Sequence, residues 1–189
     1  MAVDGLYITR FNMGDSSKTK IPAEAGVTVV KTGETCGSVD DYSTKCCWSG
    51  GTSGSPCDAT NGSYSGCNRT VCNRAAASAI CYKYKQDGKT WRLPTTSEMK
   101  NWATYSVGKG NDGLMLCNYY SGYSSAYCGF SSGSCPGSYN GFCQESGVWS
   151  GSLDSSTNAY AYYLNQDSWY KYYGIRSQAF SVRCVTEMN

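Results

Sequence analysis

Cysteine is the residue type with the most chemistry to offer in this chain, at Cys36, Cys46, Cys47, Cys57, Cys67, Cys72, Cys81, Cys117, Cys128, Cys135, Cys143 and Cys184. Thiols can hold a metal, attack an electrophile or pair as disulfides. An even, dense set points to pairing in an oxidising compartment. Zinc is the competing use, with Cys67 and Cys72 as possible ligands. However, no CxxC pair occurs and no histidine is present to complete a mixed site. Lack of histidine also removes the commonest general base and any Ser-His-Asp or Cys-His arrangement. The carboxylates are scattered, and a pair such as Glu145 with Asp154 belongs to no motif. The expected chemistry is therefore disulfide formation, and the expected role is binding without a cofactor.

Seventeen tyrosines stand largely among Ser, Gly, Asn and Asp. That mixture suits surfaces that accept varied ligands, because Tyr supplies rigid, amphipathic contact area at low entropic cost. In strands, tyrosines at alternating positions are often core. Burying all of them would demand as many hydrogen-bond partners, so part of the set is expected at a surface, where contiguous aromatics mark a binding site. Trp169, among Asp167, Ser168 and Tyr170, is expected to be exposed with them.

Sixteen basic and fourteen acidic residues leave a net charge of +2 with no Lys/Arg cluster. This argues against nucleic acid as the main partner. No apolar run reaches the roughly 18–20 residues of a membrane-spanning helix, so no membrane insertion is expected. The opening MAVDGLYITR has neither the basic nor the apolar region of a signal peptide. The cysteines still set the expectation of an extracellular or cell-surface location, with any signal or anchor lying outside this chain.

The elements that must position these residues fit one domain, 1–189. Leu6, Ile8 and Phe11 suggest a first strand, and Val27, Val29 and Val30 a second. Residues 33–67 read as a Cys-rich loop. From Arg69 to about Lys85, Val71, Cys72, Ala75, Ala76, Ala79 and Ile80 trace one helical face, with alanines small enough for close approach to a sheet. On that face Cys72, with Cys81 nearby, is expected to supply at least one bridge to another element. Thr95 and Glu98 have capping-box spacing, which predicts a second helix from about Thr96 to Tyr105. Residues 106–147 form a second Cys-rich insertion, with GLMLC (113–117) as a candidate strand and tyrosines concentrated at 118–142. Residues 147–186 read as a β-meander of VWSG, NAYAYYLN, SWYKYYGI and AFSVRCV. Along 158–165, Ala159, Ala161 and Tyr163 face one way and Tyr160, Tyr162 and Leu164 the other. Either set could be the core.

The ordered blocks WRLPTTSEM, VWSG, NAYAYYLN and SVRCV resemble a bacterial family of C-type lectin fold. It includes FISUMP-like paralogous domains of surface proteins and the variable proteins diversified by retroelements. The resemblance covers residues 69–105 and 147–186. It implies an α+β fold, two helices on a small, mostly antiparallel sheet with the terminal strands adjacent. It also implies a bridge from Cys184 to Cys72 or Cys81, core roles for Trp91 and Trp149, and structural roles for Arg92 and Arg183. In the variable proteins the C-terminal stretch is the ligand surface. Here that stretch, 152–177, offers Ser152, Asp154, Ser155, Asn158, Tyr160, Tyr162, Asn165, Asp167, Trp169, Tyr170, Tyr172 and Tyr173. The implied partner is a protein or glycan on another cell or phage surface. If Tyr170 and Tyr172 are exposed, truncating them should weaken binding and spare stability.

Three other readings were weighed. Calcium-dependent sugar binding lacks the EPN, QPD and WND triplets, and Asp154, Asn158, Asn165 and Asp167 match no calcium loop. A pilin-like structural subunit or adhesin module would use the disulfides for mechanical resistance, but no assembly strand or N-terminal helix is visible. An oxidoreductase like the formylglycine-generating enzymes would need a reactive cysteine pair, and no basic neighbourhood flags one.

Overall fold

The computed structural model describes residues 2–9, 12–14, 19–31, 34–37, 42–50, 69–106, 143–165 and 168–188. The candidate strand at 113–117, the tyrosine-rich tract at 118–142, Phe11 and Asp167 lie outside them. The architecture is α+β, and its layout follows from a few local decisions.

Asn73 makes the first. It separates strand β5 (Arg69–Cys72) from helix α1 (Arg74–Lys83). Its side-chain oxygen accepts the Ala76 N–H at 3.0 Å, satisfying one of the donors that a helix start leaves open. The same oxygen takes the Cys46 N–H at 3.3 Å, and Asn73 Nδ2 donates to the Thr44 carbonyl at 2.7 Å. One side chain thus fixes the helix start to the neighbouring strand. The expected helix over 69–85 is corrected accordingly, since its first four residues are strand. Ala76, Ala77, Ile80 and Cys81 are the buried face of α1, and the two alanines admit the close approach that their size predicts.

Helix α2 (Thr96–Ser106) begins with the expected capping box. The Thr95 N–H donates to Glu98 Oε2 at 2.7 Å, and the Glu98 N–H donates to Thr95 Oγ1 at 3.3 Å.

Among the described residues, ten strands form two sheets. In the smaller, β1 (Ala2–Val3), β2 (Leu6–Ile8) and β10 (Val185–Glu187) lie in the order β1-β2-β10, with Val185 opposite Ile8 and Glu187 opposite Leu6. The last strand therefore pairs with the N-terminal strand β2, and β1 lies on the far side of β2. The larger sheet adds β3 (Thr28–Lys31), β4 (Cys46–Gly50), β6 (Cys143–Leu153), β7 (Asn158–Asn165), β8 (Ser168–Ile175) and β9 (Ala179–Ser181). Its order is β3-β4-β5-β9-β6-β7-β8. With seven strands it is larger than the small sheet expected, and it is mixed: β3–β4 and β6–β9 are parallel pairs, while the other four pairs are antiparallel. Strand β4 falls inside the stretch 33–67 that composition assigned to loop. The closing segment AFSVRCV is likewise divided between the sheets. Arg183 lies wholly buried at the crossing, where Nε donates to Asn12 Oδ1 at 2.6 Å and Nη1 to the Thr9 carbonyl at 2.7 Å.

The core lies between α1 and the larger sheet. Trp149 and Phe180 meet edge to face at 4.4 Å, and the buried indole N–H of Trp149 donates to the Cys72 carbonyl at 2.7 Å. Trp91 is also buried, edge-on to Tyr84 at 5.1 Å. Among the described residues, three disulfides pin this frame. Cys81–Cys184 ties α1 to the segment before β10, Cys47–Cys72 joins register partners of β4 and β5, and Cys36–Cys46 closes a short loop. Of the two partners open to Cys184, Cys81 is the one used, and Cys72 bridges to β4.

Candidate ligand-binding face

Strands β7 and β8 pair without a break from Asn158↔Ile175 to Asn165↔Ser168, which fixes the face of every residue between them. Trp149, Ala161 and Tyr172 line up across β6–β8 on the core side. Ala159 and Ala161 are fully buried, so this is the set that the core claims. Tyr172 follows them. It is half-buried, edge-on to Phe180 at 6.5 Å, and is not a free ring on the surface.

The opposite face has two parts. Val148 and Tyr162 are register partners there, and both are buried, as is Met99 of α2, which packs across β6, β7 and β8. Burial raises the Tyr162 phenol above its ordinary pKa. Further along the hairpin, Tyr160↔Tyr173 and Asn158↔Ile175 occupy the same face and lie beyond this cover. Tyr173 is 60% exposed and Ile175 43%. Lys171, exposed and opposite Tyr162, places its Nζ 4.7 Å from the Tyr160 ring centroid. The Tyr160 hydroxyl donates to Asp154 Oδ1 at 2.7 Å. This bond to the carboxylate, more than desolvation and the nearby charge, raises the pKa of Tyr160. The result is a short row of half-exposed Tyr160 and exposed Tyr173 and Ile175, flanked by one anion in the β6–β7 turn and one cation on β8.

The β6–β7 turn that carries Asp154 is satisfied internally. Ser155 Oγ accepts the amides of Thr157 at 3.3 Å and Asn158 at 3.0 Å, and the Asn158 carbonyl accepts those of Asp154 and Ser155. Ser152 serves α2, since its Oγ accepts the Thr96 N–H at 3.3 Å. It sits beside a bulge in β6 where Ser150 Oγ donates to the Pro94 carbonyl at 3.0 Å and the Gly151 N–H to the same oxygen at 2.7 Å. A Cβ on Gly151 would stand 3.2 Å from the Leu93 carbonyl, so glycine there lets the strand reach the chain entering α2.

Of the twelve residues expected at the ligand surface, the structure therefore brings Asp154, Tyr160 and Tyr173 together, with Asn158 beside them. Ser152 and Ser155 have hydroxyls engaged in caps and turns, Tyr162 is buried, and Tyr172 packs on the core. Asp167 and the side chains of Asn165, Trp169 and Tyr170 lie outside the described residues. Sequence reading passed over Lys171, Ile175 and the exposed Leu153. Strand alternation would have placed Lys171 with Tyr173, but attention to tyrosine composition hid it. Among the described residues no group of three or more His, Cys, Asp or Glu could hold a metal, and no helix is long and apolar enough to cross a membrane. No protein-family model, curated protein or solved structure matches the chain.

Proposed function

We propose that this chain is a ligand-binding protein of C-type lectin fold, a retroelement-diversified variable protein that works outside the cell or at its surface. The observation that carries this reading is the Tyr160–Tyr173 pair, with Tyr160 half-exposed and Tyr173 exposed, flanked by Asp154 and Lys171 on an in-register hairpin. Tyrosine rings give broad contact with few rotatable bonds, and a strand platform lowers the entropy lost on binding. A protein or glycan surface would stack on the rings and exchange hydrogen bonds with the phenols, Asp154 and Lys171. The pairing of the N-terminal strand β2 with the last strand, the capping box after RLP and the Cys81–Cys184 bridge support the fold assignment. The disulfides fit an oxidising location.

Comparing this gene and its flanks across close isolates tests the proposal. It predicts a near-identical template repeat nearby and differences concentrated in the adenine-bearing codons of residues 152–177. Evenly scattered changes and no repeat would overturn diversification and leave a surface module of fixed specificity.

A further inference from the structure

Two arginines meet at the start of α1 with no acid between them. Arg74, the first residue of the helix, is 7% exposed. Its Nη2 donates to the Gly151 carbonyl at 2.9 Å, while its buried Nε has no hydrogen-bond partner. The Arg74 N–H donates to the Arg176 carbonyl at 2.9 Å, which brings in the turn between β8 and β9. Arg176 Nη1 donates to the Ser156 carbonyl at 2.8 Å, its guanidinium lies 5.6 Å from the Tyr42 ring centroid, and its Nε is also buried without a partner. The ion pairs among the described residues, Arg92 with Glu98 and with Glu187, involve neither.

Among the described residues, the side-chain hydrogen bonds of both cations therefore go to neutral carbonyls. A buried charge without a counter-charge is costly, and a second like charge nearby adds to the cost. Burial first, and the Arg176 charge second, lower the Arg74 pKa to about 10. The positive end of the α1 dipole works in the same direction. The Arg176 charge and the α1 N-terminus thus add positive potential around Arg74, and an anion there would offset it.

We propose that Arg74 and Arg176 form an oxyanion site, which takes a carboxylate, sulfate or phosphate group on the guanidinium donors that the carbonyl bonds leave over. The planar, forked guanidinium matches the oxygens of these groups. Arg74, held by Gly151, supplies a fixed charge, and Arg176, half-exposed in a turn, supplies the movable one. The site stands apart from the Tyr160–Tyr173 face and does not depend on that face binding anything.

The test is titration of the oxidised full chain with sodium sulfate, phosphate and acetate against sodium chloride at matched ionic strength. The Arg74 and Arg176 Nε–H signals are followed by 15N NMR, and Arg176→Gln and Arg176→Lys run alongside. Saturable shifts of both signals are expected with at least one oxyanion and not with chloride. Arg176→Gln should weaken binding by at least about tenfold while leaving the near-UV CD spectrum unchanged. Arg176→Lys should fall between. Saturation by acetate alone would identify a carboxylate site, and saturation by sulfate or phosphate alone a tetrahedral-anion site. Absence of saturation with every oxyanion, or unchanged affinity in both variants, would overturn the proposal.

Discussion

Arg92 grips Glu98 with two near-parallel bonds, Nη1 to Oε2 at 2.9 Å and Nη2 to Oε1 at 2.7 Å, while the same carboxylate closes the capping box of α2. Arg92 Nη2 also reaches Glu187 Oε1 at 2.7 Å, which links α2 to the last strand. Burial alone would raise the Glu98 pKa, but the Arg92 bond and the Thr95 amide outweigh it and leave the carboxyl below its ordinary value. The hydrogen bond that Arg92 donates to Glu98 correspondingly leads the rise in the Arg92 pKa.

A depressed carboxyl pKa contributes stability that is present above the unfolded value, about 4.3, and lost as pH falls through the folded one. Glu98→Gln should cost about 1 kcal/mol at neutral pH, a modest figure because the Arg92 side chain is 42% exposed and screened by solvent. It should also flatten the acid limb of the stability profile. Urea midpoints measured from pH 3 to 7 would check both effects.

Neighbouring tyrosines should behave differently. Tyr172→Ala removes a ring packed on Phe180 and should cost about 2 kcal/mol, whereas Tyr173→Ala removes an exposed ring and should change stability by less than about 0.5 kcal/mol. Paired denaturation curves decide this. If the proposed face is used, Tyr173→Ala weakens ligand binding despite its intact stability.

Asp154 should control the ionisation of Tyr160. The phenol that donates to the carboxylate is held neutral to higher pH, so this pair's contribution is present below the ordinary tyrosine value and lost as pH rises through the folded one. Asp154→Ala should move the Tyr160 transition to lower pH in an NMR titration of the ring. An unchanged titration would show that the bond does not form in solution.

Removing Cys81–Cys184 should be the costlier disulfide deletion. Its sequence separation is 103 residues against 10 for Cys36–Cys46. Loop-closure entropy then gives about 5 against about 3 kcal/mol. Paired Cys→Ala variants compared by guanidinium unfolding would reveal the order. Equal losses would mean that the unfolded chain does not set the effect.

Local chemistry was legible in the residues themselves. Thr95 and Glu98 announced the start of α2 because a capping box lies within four consecutive residues. NAYAYYLN and SWYKYYGI announced β7 and β8 because alternation and the bounding Asn, Asp and Gly are also local. Two of the errors in secondary structure arose where local signals overlapped. Val71, Cys72, Ala75 and Ala76 keep helical spacing across a strand–helix junction, and only the Asn73 cap bonds reveal the break. CCWSG resembles loop by composition and becomes strand because β3 and β5 flank it.

By itself, then, the sequence determined the two helices, the C-terminal hairpin, the disulfide-based frame and a surplus of tyrosine. The tertiary structure alone decided which tyrosines serve as surface. Alternation divides Tyr160 and Tyr162 from Ala159 and Ala161 but gives neither set to the core. The choice came when α1 packed on the alanine side, and α2 then covered Tyr162 while leaving Tyr160 half-exposed and Tyr173 exposed. It also decided the Cys81–Cys184 pairing and the meeting of Arg74 with Arg176. Burial and long-range proximity depend on how elements pack together, and no local pattern of residue types encodes that.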